Sequence, residues 1–184
     1  MDRKIVVMGT DHALQGAEKV GPSKRIDHPS YGKLVTILVE ECSVDYIFEE
    51  VSDCGPTTAS KLAHNRHIPY CDVDPVGPQR ILCGIEAPFD NESYVIDDAT
   101  QKKLKTEIGR EECWVERIKE RSFKSGLMVC GSVHAFSVAT RLDSSGFEQS
   151  QVIIYEPRKI LAKGWLGQLV GPGSWVLSND NQRK

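Results

Sequence analysis

Two histidines each lie three positions after a glycine, and each glycine follows a run of four apolar residues. His12 follows Gly9, and His134 follows Gly131. A continuous apolar run of this kind is typical of a strand that is buried on both faces of a sheet. Each histidine then comes just past the carboxyl end of its strand, where open α/β sheets bind their ligands. The repeated motif therefore predicts that the two histidines meet at one sheet edge. Imidazole there could take up a proton near neutral pH or ligate a metal.

Two adjacent glutamates, Glu49 and Glu50, end a further apolar and aromatic segment, residues 44–48. Successive residues of a strand face opposite sides of the sheet, so only one of these carboxylates can face the histidines. The other one faces solvent or packs elsewhere. A pair of exposed glutamates at a strand end is the simpler alternative.

Two aspartates come at the end of a third predicted strand, which lies within residues 67–75. Asp72 and Asp74 could extend the site. Capping of the next segment is the favoured interpretation, because aspartate readily accepts hydrogen bonds from the backbone N–H groups that begin a helix.

Arg110 lies on a long predicted helix, residues 98–122, that could be interrupted near Gly109. The helical spacing of Leu104, Ile108, Val115 and Ile118 predicts an apolar stripe packed on the sheet. Arg110 is one helical turn from Trp114, which places it beside that stripe. An arginine in such a position usually covers apolar surface with its aliphatic stem, so a structural role is favoured when Arg110 is considered alone.

The predicted strands alternate with helices, which indicates the α/β class: a central parallel or mixed sheet flanked by helices, with the site at the carboxyl edge of the strands. We expect residues 1–156 to form this single domain. Residues 157–184 are rich in glycine and predict a coil-rich C-terminal extension with a disordered end, residues 179–184.

The composition excludes several classes of partner. The chain has 184 residues and a net charge of -3, which gives no general attraction to nucleic acid or to an anionic membrane. No apolar run approaches the roughly 18 residues that would span a bilayer. The first strand begins within a few residues of Met1, so we expect no signal peptide and a cytoplasmic location.

In their order and spacing, these residues resemble the TraB/TIKI/ChaN group, which is related to erythromycin esterase. That group has two Gly-x-x-His motifs, a glutamate that ends the second strand, and an arginine on a helix ahead of the second motif. Its strand pattern of aspartate, four residues and glutamate matches Asp45 and Glu50, which favours Glu50 over Glu49. Its arginine, followed by a large apolar residue four positions later, matches Arg110 and Trp114. The resemblance covers residues 5–155.

The resemblance implies a hydrolase that acts on a peptide, ester or related bond of a small-molecule or peptide substrate. The TIKI branch contains metal-dependent peptidases, and the esterase branch contains lactone hydrolases that use a histidine base. The implied site is His12, Glu50, Arg110 and His134. Two imidazoles and one carboxylate can hold a divalent metal such as Mn²⁺, Co²⁺ or Zn²⁺, so His12, Glu50 and His134 are the candidate ligands.

Arg110 would then bind a substrate anion or stabilise a developing oxyanion. Without a metal, one histidine would act as the base, Glu50 would orient it, and Arg110 would hold the oxyanion. Two alternatives stay open. ChaN binds haem, so the chain could be a non-catalytic protein that binds haem or a small molecule, or both histidines could be structural residues. The sequence has neither a G-x-S-x-G elbow nor a P-loop, which leaves serine-hydrolase and NTPase functions without support.

The chain contains six cysteines, and none of them forms a C-x-x-C pair. This spacing lacks the usual signature of a zinc or redox site. We therefore expect reduced thiols that are dispensable for the chemistry.

Thiol titration of denatured, unreduced protein should therefore detect all six cysteines. The same protein, reduced before denaturation, gives the reference value. A shortfall of about two thiols relative to that reference would show a disulfide and contradict the prediction.

Overall fold

A computed structural model describes the following residues of the chain: 3–15, 29–51, 56–74, 96–156, 159–161 and 176–178. Among the helices of these segments, none is both long and apolar enough to cross a membrane.

One mixed sheet forms the centre of the described structure. Its strands are β1 (Lys4–Thr10), β2 (Tyr46–Glu49), β3 (Tyr70–Asp72), β4 (Ser125–Gly131), β5 (Glu148–Glu156), β6 (Lys159–Leu161) and β7 (Val176–Ser178). The strand order is β3-β2-β4-β1-β5-β6, and β7 also pairs with β5. The first five strands are parallel, whereas β6 and β7 run antiparallel to β5.

Helices cover both faces of this sheet. They are α1 (His12–Gln15), α2 (Pro29–Glu41), α3 (Thr58–Arg66), α4 (Ile96–Lys119) and α5 (Ala135–Ser144). Buried residues of α2 and α3 pack with one face, and buried residues of α4 and α5 pack with the other. The predicted α/β fold, a mixed sheet flanked by helices, is confirmed.

The two apolar cores explain why the strand sequences are apolar without interruption. In β1, Val6 and Met8 belong to the core under α2 and α3, whereas Ile5 and Val7 belong to the core under α4 and α5. A strand covered on both faces has no solvent side on which a polar residue would be favoured.

Helix α4 differs from its prediction in two respects. It runs through Gly109 without interruption, because one glycine in a helix interior costs only about 1 kcal/mol and the packing of the buried Trp114 exceeds that cost. Val115 and Ile118 are buried as expected, but Ile108 is 46% exposed and does not pack on the sheet.

The C-terminal segment, predicted to be coil-rich, contains two strands that the sequence did not indicate. Two short strands, β6 and β7, lie within residues 157–184 and pair with β5. Each has only three residues, too short for a periodic pattern to be visible in the sequence. The end of the chain, residues 179–184, lies outside the described residues.

The carboxyl ends of β1 and β4 lie side by side, with Thr10 paired to Gly131. The backbone N–H of Ser132 donates to the Thr10 carbonyl at 3.0 Å. Gly9 permits this close approach, because a Cβ on Gly9 would lie 2.8 Å from Ala135 Cβ and 2.9 Å from Ser132 Cα. The turn that carries the second Gly-x-x-His motif therefore packs directly against the first motif.

Replacement of Gly9 by alanine should lower the free energy of unfolding by about 1–3 kcal/mol, because the added methyl overpacks this contact. Gly32→Ala is the matched control, since a Cβ on Gly32 in α2 meets only Thr58 Cγ2 at 3.7 Å. That control should be neutral or stabilising by up to about 1 kcal/mol. Denaturant unfolding measures both variants, and a Gly9→Ala protein as stable as the wild type would refute the packing argument.

Candidate functional site

Glu50 lies across the carboxyl end of β4. Its backbone N–H donates to the Val129 carbonyl at 2.9 Å, which continues the pairing of β2 with β4 beyond Glu49. The Glu50 carboxylate then accepts a hydrogen bond from the Gly131 N–H at 2.8 Å. Backbone groups of β4 therefore fix both the main chain and the carboxylate of Glu50.

Arg110 of α4 bridges two buried carboxylates. Its Nη2 lies 2.7 Å from Glu50 Oε1, and its Nε lies 3.0 Å from Asp74 Oδ1. Burial alone would lower the pKa of Arg110, but the charges of Asp74 and Glu50 raise it above its ordinary value. The guanidinium is therefore permanently charged, and its two carboxylate partners hold it at the ends of β2 and β3.

Trp114 supports this arrangement one helical turn along α4. Its indole Nε1–H donates to Asp74 Oδ1 at 2.9 Å, and the Arg110 guanidinium carbon lies 5.2 Å from the centre of its ring. Capping was the favoured interpretation for Asp74. The structure instead places Asp74 with Arg110, Glu50 and Trp114 in one group of contacts, which we call the Arg110 cluster. Asp72 accepts a hydrogen bond from the Asp74 backbone N–H at 3.0 Å, which is a turn contact.

His134 is held by the carboxylate of Glu111, a residue that no sequence pattern indicates. Its Nδ1 lies 2.8 Å from Glu111 Oε1, and Glu111 Oε2 accepts hydrogen bonds from Ser137 Oγ and from Arg141 Nε. Burial alone would lower the pKa of His134, but the contact with Glu111 raises it above its ordinary value. The carboxylate in contact with the His134 imidazole is therefore that of Glu111.

His134 and the Arg110 cluster share Trp114. The His134 ring meets the Trp114 ring edge-on, with 5.2 Å between the ring centres and 81° between the planes. The charge of Glu50 also raises the pKa of His134, whereas the charge of Arg110 lowers it. The structure thus brings together three of the four predicted residues: Glu50, Arg110 and His134.

The backbone of His12 begins α1 directly beyond β1, next to the strand that leads to His134. The side chain of His12 lies outside the described part of the chain. Its membership of the site therefore stays a prediction.

Glu49 faces the opposite side of the sheet from Glu50, as strand alternation requires. It is fully buried, and its Oε2 accepts hydrogen bonds from Thr57 Oγ1 at 2.5 Å and from Tyr70 Oη at 3.0 Å. Burial raises the pKa of Glu49 to about 8, even though both hydrogen bonds act to lower it. The simpler alternative, two exposed glutamates, is wrong, and Glu49 belongs to the α2–α3 side of the protein.

The described residues do not form a prepared metal site. Among them, no group of three His, Cys, Asp or Glu side chains is arranged to hold a metal ion. Both Glu50 oxygens already accept hydrogen bonds, one from Arg110 and one from the Gly131 N–H. His134 fits a metal better, because a carboxylate at Nδ1 is the usual support of a metal-ligating histidine.

The contacts of Glu111 with His134, Ser137 and Arg141 have a partial signal in the sequence. His134, Ser137 and Arg141 are three and four residues apart, the spacing of side chains that share one face of a helix. Glu111 gives no such signal, because its partners lie on a different helix and only the packing of α4 against α5 brings them together.

Comparisons with models of protein families, with characterised proteins and with solved structures find no match for this chain.

The buried Glu49 should make stability depend on pH. The folded protein binds the Glu49 proton more tightly than the unfolded chain does, so this stabilisation is full in acid and is lost as the pH rises from about 4.5 towards about 8. Glu49→Gln, which keeps a neutral side chain, should therefore gain stability relative to the wild type between about pH 5 and about pH 9.

Denaturant unfolding at both pH values measures this difference. Glu112→Gln is the control, because its carboxylate is 62% exposed and its removal should leave the pH dependence unchanged. A Glu49→Gln protein whose stability parallels that of the wild type at both pH values would contradict the buried-proton interpretation.

Proposed function

We propose that this protein is a hydrolase that acts on a peptide, ester or related bond, with His134, Arg110 and Glu50 at its site and His12 as a further member. One observation carries the proposal. The titratable imidazole of His134 and the fixed guanidinium of Arg110 both contact the Trp114 ring, at the ends of β2 and β4. The resemblance of the motifs to the TraB/TIKI/ChaN group supports the same reaction class.

His134 serves as the general base. Glu111 occupies Nδ1, and among the described residues none forms a hydrogen bond with Nε2. Nε2 can therefore accept a proton from a water molecule as the water oxygen attacks the substrate carbonyl carbon. The same nitrogen then returns the proton to the leaving oxygen or nitrogen when the bond to the carbonyl carbon breaks.

Arg110 stabilises the negative charge that develops on the carbonyl oxygen. Its Nε and Nη2 are used by Asp74 and Glu50, and within the described part of the chain Nη1 has no hydrogen-bond partner. The two N–H groups of Nη1 are thus available to an oxyanion, and the two carboxylates hold them at a fixed position before the reaction begins.

A divalent metal such as Mn²⁺, Co²⁺ or Zn²⁺ at His12, Glu50 and His134 is the second candidate. Its support is the Glu111 carboxylate at His134 Nδ1. Glu50 would first have to give up its bond to Arg110 or to the Gly131 N–H. A bound metal would supply Lewis-acid catalysis at this place.

We propose a cytoplasmic location for the protein. The support is the state of the described cysteines, Cys42, Cys71, Cys113 and Cys130, which are present as thiols. Cys54 and Cys83 lie outside the described residues.

A panel of esters, peptides and phosphoesters, assayed with EDTA and with added Mn²⁺, Co²⁺ or Zn²⁺, tests the proposed function. His134→Gln should lower turnover by at least about 100-fold, because glutamine can contact Glu111 but cannot accept the proton. His64→Gln is the control, since His64 is an exposed histidine on α3 and should keep full activity.

Full activity of His134→Gln would contradict the proposal. Loss of all activity in EDTA, with recovery on addition of one metal, would favour the second candidate. No turnover of any substrate, together with a Soret absorbance band after haem addition, would favour the non-catalytic haem-binding alternative.

A further inference from the structure

Glu111 is connected to its surroundings through both carboxylate oxygens. Oε1 contacts His134 Nδ1, and Oε2 accepts hydrogen bonds from Ser137 and Arg141. The Glu111 side chain is only 6% exposed, so these contacts take the place of water. A carboxylate with three polar partners in a largely dry position has a fixed orientation.

The three partners of Glu111 come from one face of α5. His134 precedes the helix, and Ser137 and Arg141 lie three and seven residues further along. His134 occupies the N-cap position, yet its side chain makes no capping hydrogen bond to the helix. The imidazole contacts Glu111 on α4 and does not cap the N-terminus of α5.

The ionisation of Glu111 decides which nitrogen of His134 carries the proton. Glu111 Oε2 accepts a hydrogen bond from Ser137 Oγ and lies 3.2 Å from Nε of Arg141, and this ion pair with a permanently charged guanidinium favours the ionised carboxylate. Glu111 is therefore a carboxylate at neutral pH and can only accept hydrogen bonds. The Nδ1 atom beside it must carry a hydrogen, which leaves the lone pair of the neutral imidazole on Nε2.

We propose that Glu111 is the positioning residue of His134: it selects the tautomer with the proton on Nδ1 and leaves the lone pair of Nε2 for proton transfer. Trp114 completes the support, since its ring meets the imidazole edge-on at 5.2 Å. This inference rests on the proposed role of His134 as a base for its functional meaning. The tautomer itself is a property of the resting protein and is measured without any substrate.

The experiment is a pH titration of the His134 ring nitrogens by NMR in ¹⁵N-histidine-labelled protein, with assignment from a His134→Gln sample. In the wild type, the neutral ring should carry its hydrogen on Nδ1, and its titration midpoint should lie above the ordinary histidine value. Glu111→Gln should lower that midpoint and mix the two tautomers, because a neutral amide no longer stabilises the imidazolium.

Glu112→Gln is the matched control for Glu111→Gln. Glu112 is the next residue on α4 and also contacts Arg141, but it does not touch His134. Its replacement should leave both the tautomer and the midpoint of His134 unchanged. In a turnover assay, Glu111→Gln should lose at least about tenfold in kcat, and the acid limb of the pH profile should move to lower pH.

A neutral His134 with its hydrogen on Nε2 in the wild type would overturn the inference, and this result requires no variant to fold. An unchanged midpoint in a folded Glu111→Gln protein would overturn it as well. If the tautomer and the midpoint behave as expected but no substrate is turned over, the positioning by Glu111 stands and the hydrolase proposal fails.

Discussion

The arrangement of the site depends on the charged Arg110 being held between Glu50 and Asp74. The side chains of Glu50 and Asp74 are 2% and 0% exposed, and that of Arg110 is 19% exposed. Removal of such charges from water costs several kcal/mol for each ion, and only good geometry with further hydrogen bonds offsets this cost. Trp114 Nε1 and the Gly131 N–H supply those further bonds, so α4, the segment after β3 and the ends of β2 and β4 are fixed relative to one another.

Helix geometry extends this constraint to His134. Arg110 and Glu111 are consecutive residues of α4, and consecutive side chains leave a helix about 100° apart. Once Arg110 points to the strand ends, Glu111 must point sideways, towards α5, where it meets His134, Ser137 and Arg141. One helix therefore places both the guanidinium and the carboxylate that supports the imidazole.

The sequence predicted most strands and helices of the fold, because buried strands and amphipathic helices have a clear pattern, but it did not indicate the short strands β6 and β7. It also predicted that Glu49 and Glu50 would face opposite sides, since strand alternation is a local property. For Asp74, the sequence left a place in the site open beside the favoured capping role. The part played by Glu111 could not be predicted, because it depends on which helices and strands are neighbours. The order β3-β2-β4-β1-β5 places residues distant in sequence side by side, and no local pattern encodes that order.

A double-mutant cycle on Arg110 and Glu50 tests most directly whether this buried ion pair organises the site. The free energies of unfolding of Arg110→Met, Glu50→Gln and the double variant are compared with that of the wild type at neutral pH. Each single change should cost about 3–5 kcal/mol, because it leaves a buried charge without its partner. The double variant should cost less than the sum of the two by at least about 1 kcal/mol. Losses that add to within about 0.5 kcal/mol would show that the two side chains contribute independently, and would contradict the account.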